Sequence, residues 1–258
     1  MGKFDGILIA TDWDGTLFNG KEIPETNLRA IKYFKDNGGR FTICSGRPPK
    51  YVRDMSDVCK PNTYVACLNG AIVYDPETDK IISEGFVDEE AYEILDKIVD
   101  CGVEITRITF EEIGHDDFYE FTPNEYKLNK ADMKSRKIYK ITVLATDAAG
   151  GEMIMGCAAK TEMHRHGVMR SYGPLAEILN NDFTKGKAAL YIKEAIGAHT
   201  LIGVGDYEND IPLLECADVG YAVGNAIDTV KAVADRVTVS VFEGAIAAIV
   251  AELDKTIS

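Results

Sequence analysis

ILIATDWDGT, residues 7–16, joins a run of apolar residues to a short polar turn. An apolar run of this kind is typical of a fully buried strand in a parallel sheet. Open parallel sheets bind ligands just beyond the carboxyl ends of their strands, so we expect Asp12 and Asp14 to lie in an active site. Gly15 allows a sharp turn, and the Thr16 hydroxyl can hold it. An isolated motif of this kind can also simply end a strand, so the rest of the chain decides its meaning.

The composition is that of an ordinary globular protein. With 258 residues, of which 46% are apolar and 27% charged, the chain can bury a sizeable core as one large domain or two. The formal net charge of −14 disfavours binding to nucleic acid or to anionic membranes, because both rely on clustered Lys and Arg. An acidic protein that acts on an anionic substrate must therefore place positive charge locally.

The cysteines and the hydropathy indicate a cytoplasmic protein. Six cysteines are scattered along the chain with no CxxC pair, and no apolar leader precedes them, which is typical of a reducing environment. No apolar stretch approaches the roughly 18 residues that a membrane helix needs. We expect no membrane partner, and a monomer or a small homo-oligomer.

The first 84 residues have the pattern β-α-β-α-β, followed by a hairpin. Beyond the opening strand, we predict helices over 24–37 and 49–59, strands over 41–44 and 64–68, and a hairpin of 71–74 with 80–84. Because each crossover is a helix, the pattern predicts a parallel sheet with right-handed connections.

From about residue 85 the pattern changes to a mixed α+β insertion. We predict helices over 88–100 and 147–163, strands over 103–108 and 138–144, and a hairpin of 167–172 with 175–179, whereas 111–136 gives no assignment. A segment of about a hundred residues is a domain by size. We interpret residues 85–179 as a cap domain.

After the insertion the first pattern resumes. We predict strands over 201–204, 219–223 and 236–239, and helices over 186–196, 209–216, 226–234 and 243–253. The predicted fold is therefore α/β, with a Rossmann-like, three-layer core around a parallel sheet. The core comprises residues 1–84 and 180–258 and is interrupted by the cap.

Three further polar clusters lie at strand ends or helix starts of the same predicted sheet. Ser45 follows the second strand, where its hydroxyl and nearby N–H groups could bind a phosphoryl oxygen. Lys185 precedes Gly186 at the start of a predicted helix, where the helix dipole disfavours a cation unless an anion joins it. The turn GDYEND, residues 205–210, crowds acidic groups that would repel one another without a cation.

These four pieces, in this order, resemble the haloacid dehalogenase superfamily over nearly the whole chain. The D-x-D-G-T of that family is residues 12–16 here, its Ser/Thr is Ser45, its Lys is Lys185, and its G-D-x-x-N-D is residues 205–210. Finer similarities point to Cof-type phosphatases: SGRP at 45–48, NGA at 69–71, TKG at 184–186 and GNA at 224–226. One departure is VSVFEG at 239–244, where the family usually has a more acidic loop.

The spacing of the motifs agrees with a cap of type C2B. About thirty residues separate Asp12 from Ser45, which is too few for a C1 cap, whereas 140 residues separate Ser45 from Lys185. The resemblance therefore implies an inserted α+β cap of the C2B type. The motifs of the core would recognise phosphate and metal alone, so we expect the cap to select the substrate.

The chemistry of a phosphoryl transfer suggests a role for each aspartate of the first motif. A carboxylate that attacks a phosphate dianion must overcome repulsion between like charges, so it needs a divalent cation, and oxygen ligands select Mg²⁺. We expect Asp12 to be the nucleophile that forms an aspartyl-phosphate. Asp14 would be the general acid for the leaving alcohol and then the general base for water.

The resemblance implies the remaining site residues. The Mg²⁺ ligands would be the Asp12 carboxylate, the Asp14 carbonyl and Asp206, with support from Asn209 and Asp210. Lys185 and Ser45 would hold the transferring group and its developing charge. The substrate would also contact Gly46, Arg47 and Asn69, although Arg47 and Asn69 could instead fix their loops by hydrogen bonds.

The motif set favours a Mg²⁺-dependent phosphatase of small phosphorylated metabolites, with sugar phosphates first among them. A phosphotransferase of the sugar phosphomutase type is the alternative, since it shares the core and the cap and returns the phosphoryl group to a sugar instead of to water. A non-catalytic binding module is disfavoured because every expected catalytic residue is present.

Overall fold

The computed structural model describes residues 2–113 and 118–257, and the chain divides into two compact units. The core unit comprises Met1–Ser83 and Lys185–Ser258, and the cap unit comprises Glu84–Thr184. Each unit has a hydrophobic core of its own.

The first segment of the chain alternates strands with helices. Its elements are β1 (Ile7–Thr11), α1 (Glu25–Asp36), β2 (Arg40–Ile43), α2 (Pro49–Cys59), β3 (Val65–Cys67), β4 (Ile72–Asp75) and β5 (Lys80–Glu84). α1 begins after Pro24 and buries Ile31 and Phe34 at helical spacing. It ends before Gly38, whose φ of +94° suits glycine and where a Cβ would approach Asp5 Oδ1 to 1.9 Å.

The cap unit is a sheet covered by helices. Its further elements are α3 (Glu89–Val99), β6 (Ile105–Glu111), β7 (Phe118–Phe121), α4 (Pro123–Lys134), β8 (Lys140–Ala145), α5 (Ala148–Ala158), β9 (His166–Tyr172) and β10 (Leu175–Asn180). The strands pair in the order β7-β6-β8-β10-β9, and the pairs are antiparallel. Ile108, Phe110 and Ile141 of the sheet share a buried cluster with Ile94 and Leu95 of α3.

Two features of the cap unit differ from the sequence analysis. Residues 111–136, which gave no assignment, contain β7 and α4, while 114–117 lie outside the described residues. Glu84 and residues 180–184, predicted to belong to the core, fall within the cap unit. Hydrogen bonds tie them there, because Asn180 Nδ2 donates to Phe86 O at 3.2 Å and Asn181 N donates to Arg165 O at 2.7 Å.

The final segment completes the core unit. It contains α6 (Lys185–Ala195), β11 (Thr200–Gly205), α7 (Ile211–Cys216), β12 (Val219–Ala222), α8 (Asp228–Val233), β13 (Arg236–Val237) and α9 (Ala245–Thr256). The sheet has the order β13-β12-β11-β1-β2, and all of these pairs are parallel. α9 packs against α1, and α6 packs against α7.

β1 is a buried central strand that sets the position of the site. All five of its residues are buried, and it pairs with β11 on one side and with β2 on the other. Because the three strands are parallel, their carboxyl ends meet at one edge of the sheet. Asp12, Ser45 and Asp206 follow these ends at that edge.

β3 was predicted to be a strand of the parallel sheet, but the structure places it in another sheet. It belongs to a three-stranded sheet with β4 and β5, and a single parallel bridge between Cys44 and Ala66 links it to the end of β2. This bridge brings the loop after β3 to the edge where Ser45 lies, since Ser45 N donates to Ala66 O at 2.9 Å.

Among the helices of the described ranges, none has both the length and the apolar character needed to cross a bilayer.

Candidate active site

Lys185 lies at the centre of the predicted site. It is the first residue of α6, and only 1% of its surface is exposed. Its Nζ donates to Asp12 Oδ1 and to Asp210 Oδ1, each at 2.6 Å. Charge-assisted bonds of this length hold both carboxylates firmly. The structure therefore brings together residues from the first, third and fourth motifs of the chain.

The buried charges shift one another's ionisation. Burial alone would lower the pKa of Lys185, but the carboxylates of Asp12 and Asp210 outweigh it and raise that pKa, so the ammonium stays charged. Burial raises the pKa of Asp12 well above its usual range, Lys185 opposes this, and Asp210 and Asp206 add to it. Burial and the charge of Asp210 raise the pKa of Asp206 to about 7. One ammonium thus does not balance the carboxylates around it.

The carboxylates of Asp12, Asp206 and Asp210 form a group that fits a hard divalent cation. Each offers an oxygen, and these oxygens lie within 4.8 Å of one another. Gly15 makes room for this group, because a Cβ on Gly15 would lie 2.5 Å from Asp206 Oδ2. Thr16 Oγ1 donates to the other oxygen, Asp206 Oδ1, at 2.6 Å. Oxygen donors of this kind favour Mg²⁺ over softer metals.

Asp210 and Asn209 differ in how much of their hydrogen-bonding capacity is used. Asp210 Oδ2 accepts from the backbone N–H groups of Asp206 at 2.9 Å and Tyr207 at 3.2 Å, while Oδ1 accepts from Lys185. Asp210 therefore positions the turn. Asn209 Oδ1 is buried and accepts no hydrogen bond from the described residues. An unpaired buried oxygen beside an acidic cluster is a second observation that fits a cation or its water.

Asp14 and Arg47 form a bidentate ion pair. Arg47 Nε donates to Asp14 Oδ2, and Arg47 Nη2 donates to Asp14 Oδ1, both at 2.8 Å. About half of each side chain is exposed, and the bond to Asp14 raises the pKa of Arg47. Arg47, predicted to contact the substrate, thus contacts the predicted acid–base residue. Its planar fork matches a carboxylate and would match a phosphate equally well.

Ser45 and Asn69 lie on adjoining loops. Ser45 is 1% exposed, and its Oγ accepts from Arg47 N at 3.2 Å. Asn69 N donates to Ser45 O at 2.9 Å, and Asn69 Oδ1 accepts from Asn209 Nδ2 at 3.1 Å. Gly46 lies against this amide, since a Cβ there would approach Asn69 Oδ1 to 3.1 Å. Ser45, Gly46 and Asn69 therefore adjoin the cluster, and their contact with a substrate stays a prediction.

Asn225 has a role at the site that the sequence analysis did not assign. Its Nδ2 donates to Gly15 O and its Oδ1 accepts from Val241 N, both at 2.8 Å. The Asn225 carboxamide therefore links the turn after β1 to the loop after β13 by two hydrogen bonds. The signal was present in the sequence as the GNA segment at 224–226, although nothing in the pattern gave its partner.

The arrangement can carry out nucleophilic chemistry on a phosphate. Lys185 holds Asp12 Oδ1, and the other oxygen of this carboxylate, Oδ2, is the candidate for the predicted attack. A fixed ammonium, acidic ligands for a cation and a second carboxylate at Asp14 complete the set that phosphoryl transfer requires. The parallel sheet and this site are those of an α/β protein with a carboxylate cluster suited to phosphoryl transfer.

Comparison with known proteins gives the family. The family model for haloacid dehalogenase-like hydrolases matches residues 9–250, and the chain belongs to this family. The chain is 27% identical to the 5-amino-6-(5-phospho-D-ribitylamino)uracil phosphatase YitU of Bacillus subtilis (strain 168), over 93% of this chain and 94% of that protein. It is 26% identical to a phosphoglycolate phosphatase of Archaeoglobus fulgidus, over 90% of each chain.

The fold is shared with solved structures. A sugar phosphatase of haloacid dehalogenase subclass IIB superposes with a TM-score of 0.76 at 19% identity, over 96% of this chain and 98% of that one. The predictions of an α/β fold with a Rossmann-like core and of a Cof-type enzyme of the haloacid dehalogenase superfamily are therefore confirmed. The predicted roles of the individual site residues stay predictions.

Proposed function

We propose that the protein is a Mg²⁺-dependent phosphatase that hydrolyses small phosphorylated metabolites, sugar phosphates among them, through an aspartyl-phosphate. The observation that carries this proposal is the buried Lys185 ammonium, 2.6 Å from both Asp12 and Asp210, beside a third carboxylate at Asp206. A cluster of this kind carries excess negative charge until a divalent cation joins it. Phosphatases among the relatives support the same reaction class.

The first chemical step belongs to Asp12 and Asp14. Asp12 Oδ2 attacks phosphorus, the bond from phosphorus to the ester oxygen breaks, and Asp14 gives its proton to that oxygen. When bound, Mg²⁺ would lessen the repulsion between the Asp12 carboxylate and the phosphate dianion. Lys185 holds Asp12 Oδ1 in place while the charge on the transferring group moves, and Ser45 Oγ can donate to a phosphoryl oxygen.

The second step returns Asp12 to its starting state. Water attacks phosphorus, Asp14 takes one of its protons, and the bond from phosphorus to Asp12 Oδ2 breaks to release phosphate. Asp14 must carry a proton on one oxygen before the first step, whereas both of its oxygens accept a hydrogen bond from Arg47 in the structure. We therefore include in the proposal that this pair loosens when a phosphate arrives to share the Arg47 guanidinium.

Substrate class and location are parts of the same proposal. The relatives act on different small phosphate monoesters, so their names support a small phosphorylated metabolite without selecting one. That the cap unit selects the substrate stays a prediction. That the protein is a monomer or a small homo-oligomer is also still a prediction. A cytoplasmic location is supported by the six free thiols.

The test is a screen for phosphate release from a panel of phosphorylated metabolites, in Mg²⁺ and in EDTA. We expect release in Mg²⁺ and none in EDTA, with Asp12→Asn inactive throughout. Full activity in EDTA would contradict the mechanism. Formation of an isomerised sugar phosphate without free phosphate would show a phosphomutase instead.

A further inference from the structure

The turn after β3 has an unusual backbone. Leu68, Asn69 and Gly70 have φ values of +49°, +57° and +99° in succession. Residues other than glycine rarely adopt a positive φ, although Asn tolerates it better than most. For the two residues other than glycine, this conformation is strained and persists only where the surroundings fix it. Here Leu68 N donates to Arg47 O at 3.0 Å and Asn69 N donates to Ser45 O at 2.9 Å.

The turn presents the Asn69 side chain to Asn209. Both residues are buried, with 1% and 6% of their surfaces exposed, and Asn69 Oδ1 accepts from Asn209 Nδ2 at 3.1 Å. A carboxamide carries its donors and its acceptor on opposite arms. Once Nδ2 is bound to Asn69, the orientation of Asn209 Oδ1 is fixed as well. That oxygen is buried and accepts nothing from the described residues.

An oriented, unpaired acceptor beside the acidic cluster needs an explanation. Leaving a buried carbonyl oxygen unpaired is unfavourable, so a free carboxamide would rotate to avoid it. Asn209 lies between Glu208 and Asp210 in the turn that supplies the cluster. Its oxygen is the kind of ligand that a hard cation, or a water bound to that cation, would accept.

We propose that Asn69 is a positioning residue, which orients the carboxamide of Asn209 so that its oxygen serves the Mg²⁺ site; this inference rests on the proposed function. Position 69 requires a residue that tolerates a positive φ and also has a side-chain acceptor, and Asn meets both needs. Glycine would suit a φ of +57° but offers no acceptor, and alanine offers neither. Partners that orient metal ligands in this way typically change metal affinity about 10–100-fold when removed.

The test is a cycle of variants in the full-length protein, read as the Kd for Mg²⁺ by calorimetry without substrate. We expect Asn69→Gly to raise that Kd about tenfold, because the orientation of Asn209 is lost. Asn69→Asp keeps an accepting oxygen at a φ that Asp tolerates, and we expect it not to raise the Kd. Asn209→Ala should raise it at least as much as Asn69→Gly. Glycine adopts the φ of +57° without strain, so we expect Asn69→Gly to fold, and circular dichroism checks this.

The decisive measurement is Asn69→Gly in the Asn209→Ala background. If Asn69 acts through Asn209, the second substitution raises the Kd no further. An equal rise in both backgrounds, or a Kd for Asn69→Gly within about twofold of wild type, would overturn the inference. In either case, wild-type Mg²⁺ binding and phosphate release would leave the proposed function standing. A wild-type protein that neither binds Mg²⁺ nor releases phosphate would overturn both.

Discussion

Each unit buries a lysine against carboxylates, but the two sites differ in their balance of charge. In the core unit, the Lys185 ammonium lies among Asp12, Asp206 and Asp210. In the cap unit, Lys140 Nζ lies 2.6 Å from Glu177 Oε1, and both side chains are at most 5% exposed. These are the two fully buried lysines among the described residues.

The comparison separates a structural pair from a functional cluster. One buried ammonium beside one carboxylate forms a pair whose two charges cancel, although such a pair need not add stability over an apolar one. Three carboxylates around one ammonium leave negative charge that burial makes expensive. Burial and this excess charge, which together raise the pKa of Asp206 to about 7, are typical of functional sites.

The largest expected effect is that of Asp12→Asn on turnover. The amide cannot attack as an anion, so we expect kcat for phosphate release to fall more than about 10⁴-fold while the fold persists. The measurement is steady-state kinetics beside circular dichroism. Asp218→Asn is the matched control, since Asp218 pairs with Lys193 at 2.6 Å outside the cluster and should leave kcat unchanged. Near wild-type rates for Asp12→Asn would show that another group is the nucleophile.

The cap pair should affect stability and not chemistry. Glu177→Leu removes the carboxylate that lies 2.6 Å from the buried Lys140 ammonium, so we expect the free energy of unfolding of the cap unit to fall by about 3–5 kcal/mol. Lys140→Met combined with Glu177→Leu should restore most of that loss, because two apolar residues need no counter-charge. Denaturant titration measures both variants. The distinction between the Lys140 pair and the Lys185 cluster would fail in two cases. The first is that Glu177→Leu lowers the free energy of unfolding by less than about 1 kcal/mol, and the second is that the folded variant no longer binds Mg²⁺.

The charge excess of the core cluster should appear as a link between protons and Mg²⁺. Asp206 must lose its proton to bind a cation, so with a pKa of about 7 we expect the Kd for Mg²⁺ to rise about tenfold from pH 8 to pH 6. Calorimetry at the two pH values measures the change. Asp206→Asn should flatten the dependence as well as weaken binding, and a Kd that does not vary with pH in the wild type would contradict the assignment.

The same pKa predicts the sign of the stability change without metal. The folded pKa of Asp206 lies above the usual value of 3.8, so its contribution to stability is fully present below that value and is lost as pH rises through about 7. The Tm in EDTA should therefore decrease between pH 5 and pH 8. Added Mg²⁺ should raise the Tm more at pH 8 than at pH 6.

The smallest expected effect is at the half-exposed pair of Asp14 with Arg47. Arg47→Lys keeps the charge but loses the bidentate fork, so we expect kcat/KM to fall about threefold to tenfold. Arg53→Lys is the matched control, because Arg53 pairs with Asp79 at the surface and should have no effect on kcat/KM. If Arg47→Lys and Arg53→Lys changed kcat/KM equally, the ion pair of Arg47 with Asp14 would be a surface contact with no part in catalysis.

Much of the core could be predicted from the sequence because its strands are buried runs and its helices have strong apolar spacing. α4 could not, because it buries Tyr126 and Met133 with few other apolar residues, so its periodicity is weak. A local signal was nevertheless present: Thr122 and Glu125 form a capping box, with Pro123 in the first turn. In this segment the capping residues predict the helix better than the hydrophobic pattern does.

The motifs also predicted which residues of the core would converge, since the carboxyl ends of parallel strands meet at one edge. They could not predict the partners of individual side chains. Asn69 and Asn209 are 140 residues apart in sequence, and the pair of Asp14 with Arg47 is a choice among several acceptors and donors nearby. Such contacts depend on the backbone path of loops, which the residue pattern alone does not determine.

The position of β1 has a consequence for the order of events during synthesis. β1 can pair with β2 early, but β11, its other neighbour, ends at Gly205, almost two hundred residues after β1. At about 5–20 residues per second, the ribosome needs roughly 10–40 s to deliver it. The strands of the cap sheet pair with one another and are complete before β11 emerges, so the cap unit can fold first. Throughout that interval the apolar β1 keeps one unpaired edge, where the nascent chain is most open to aggregation.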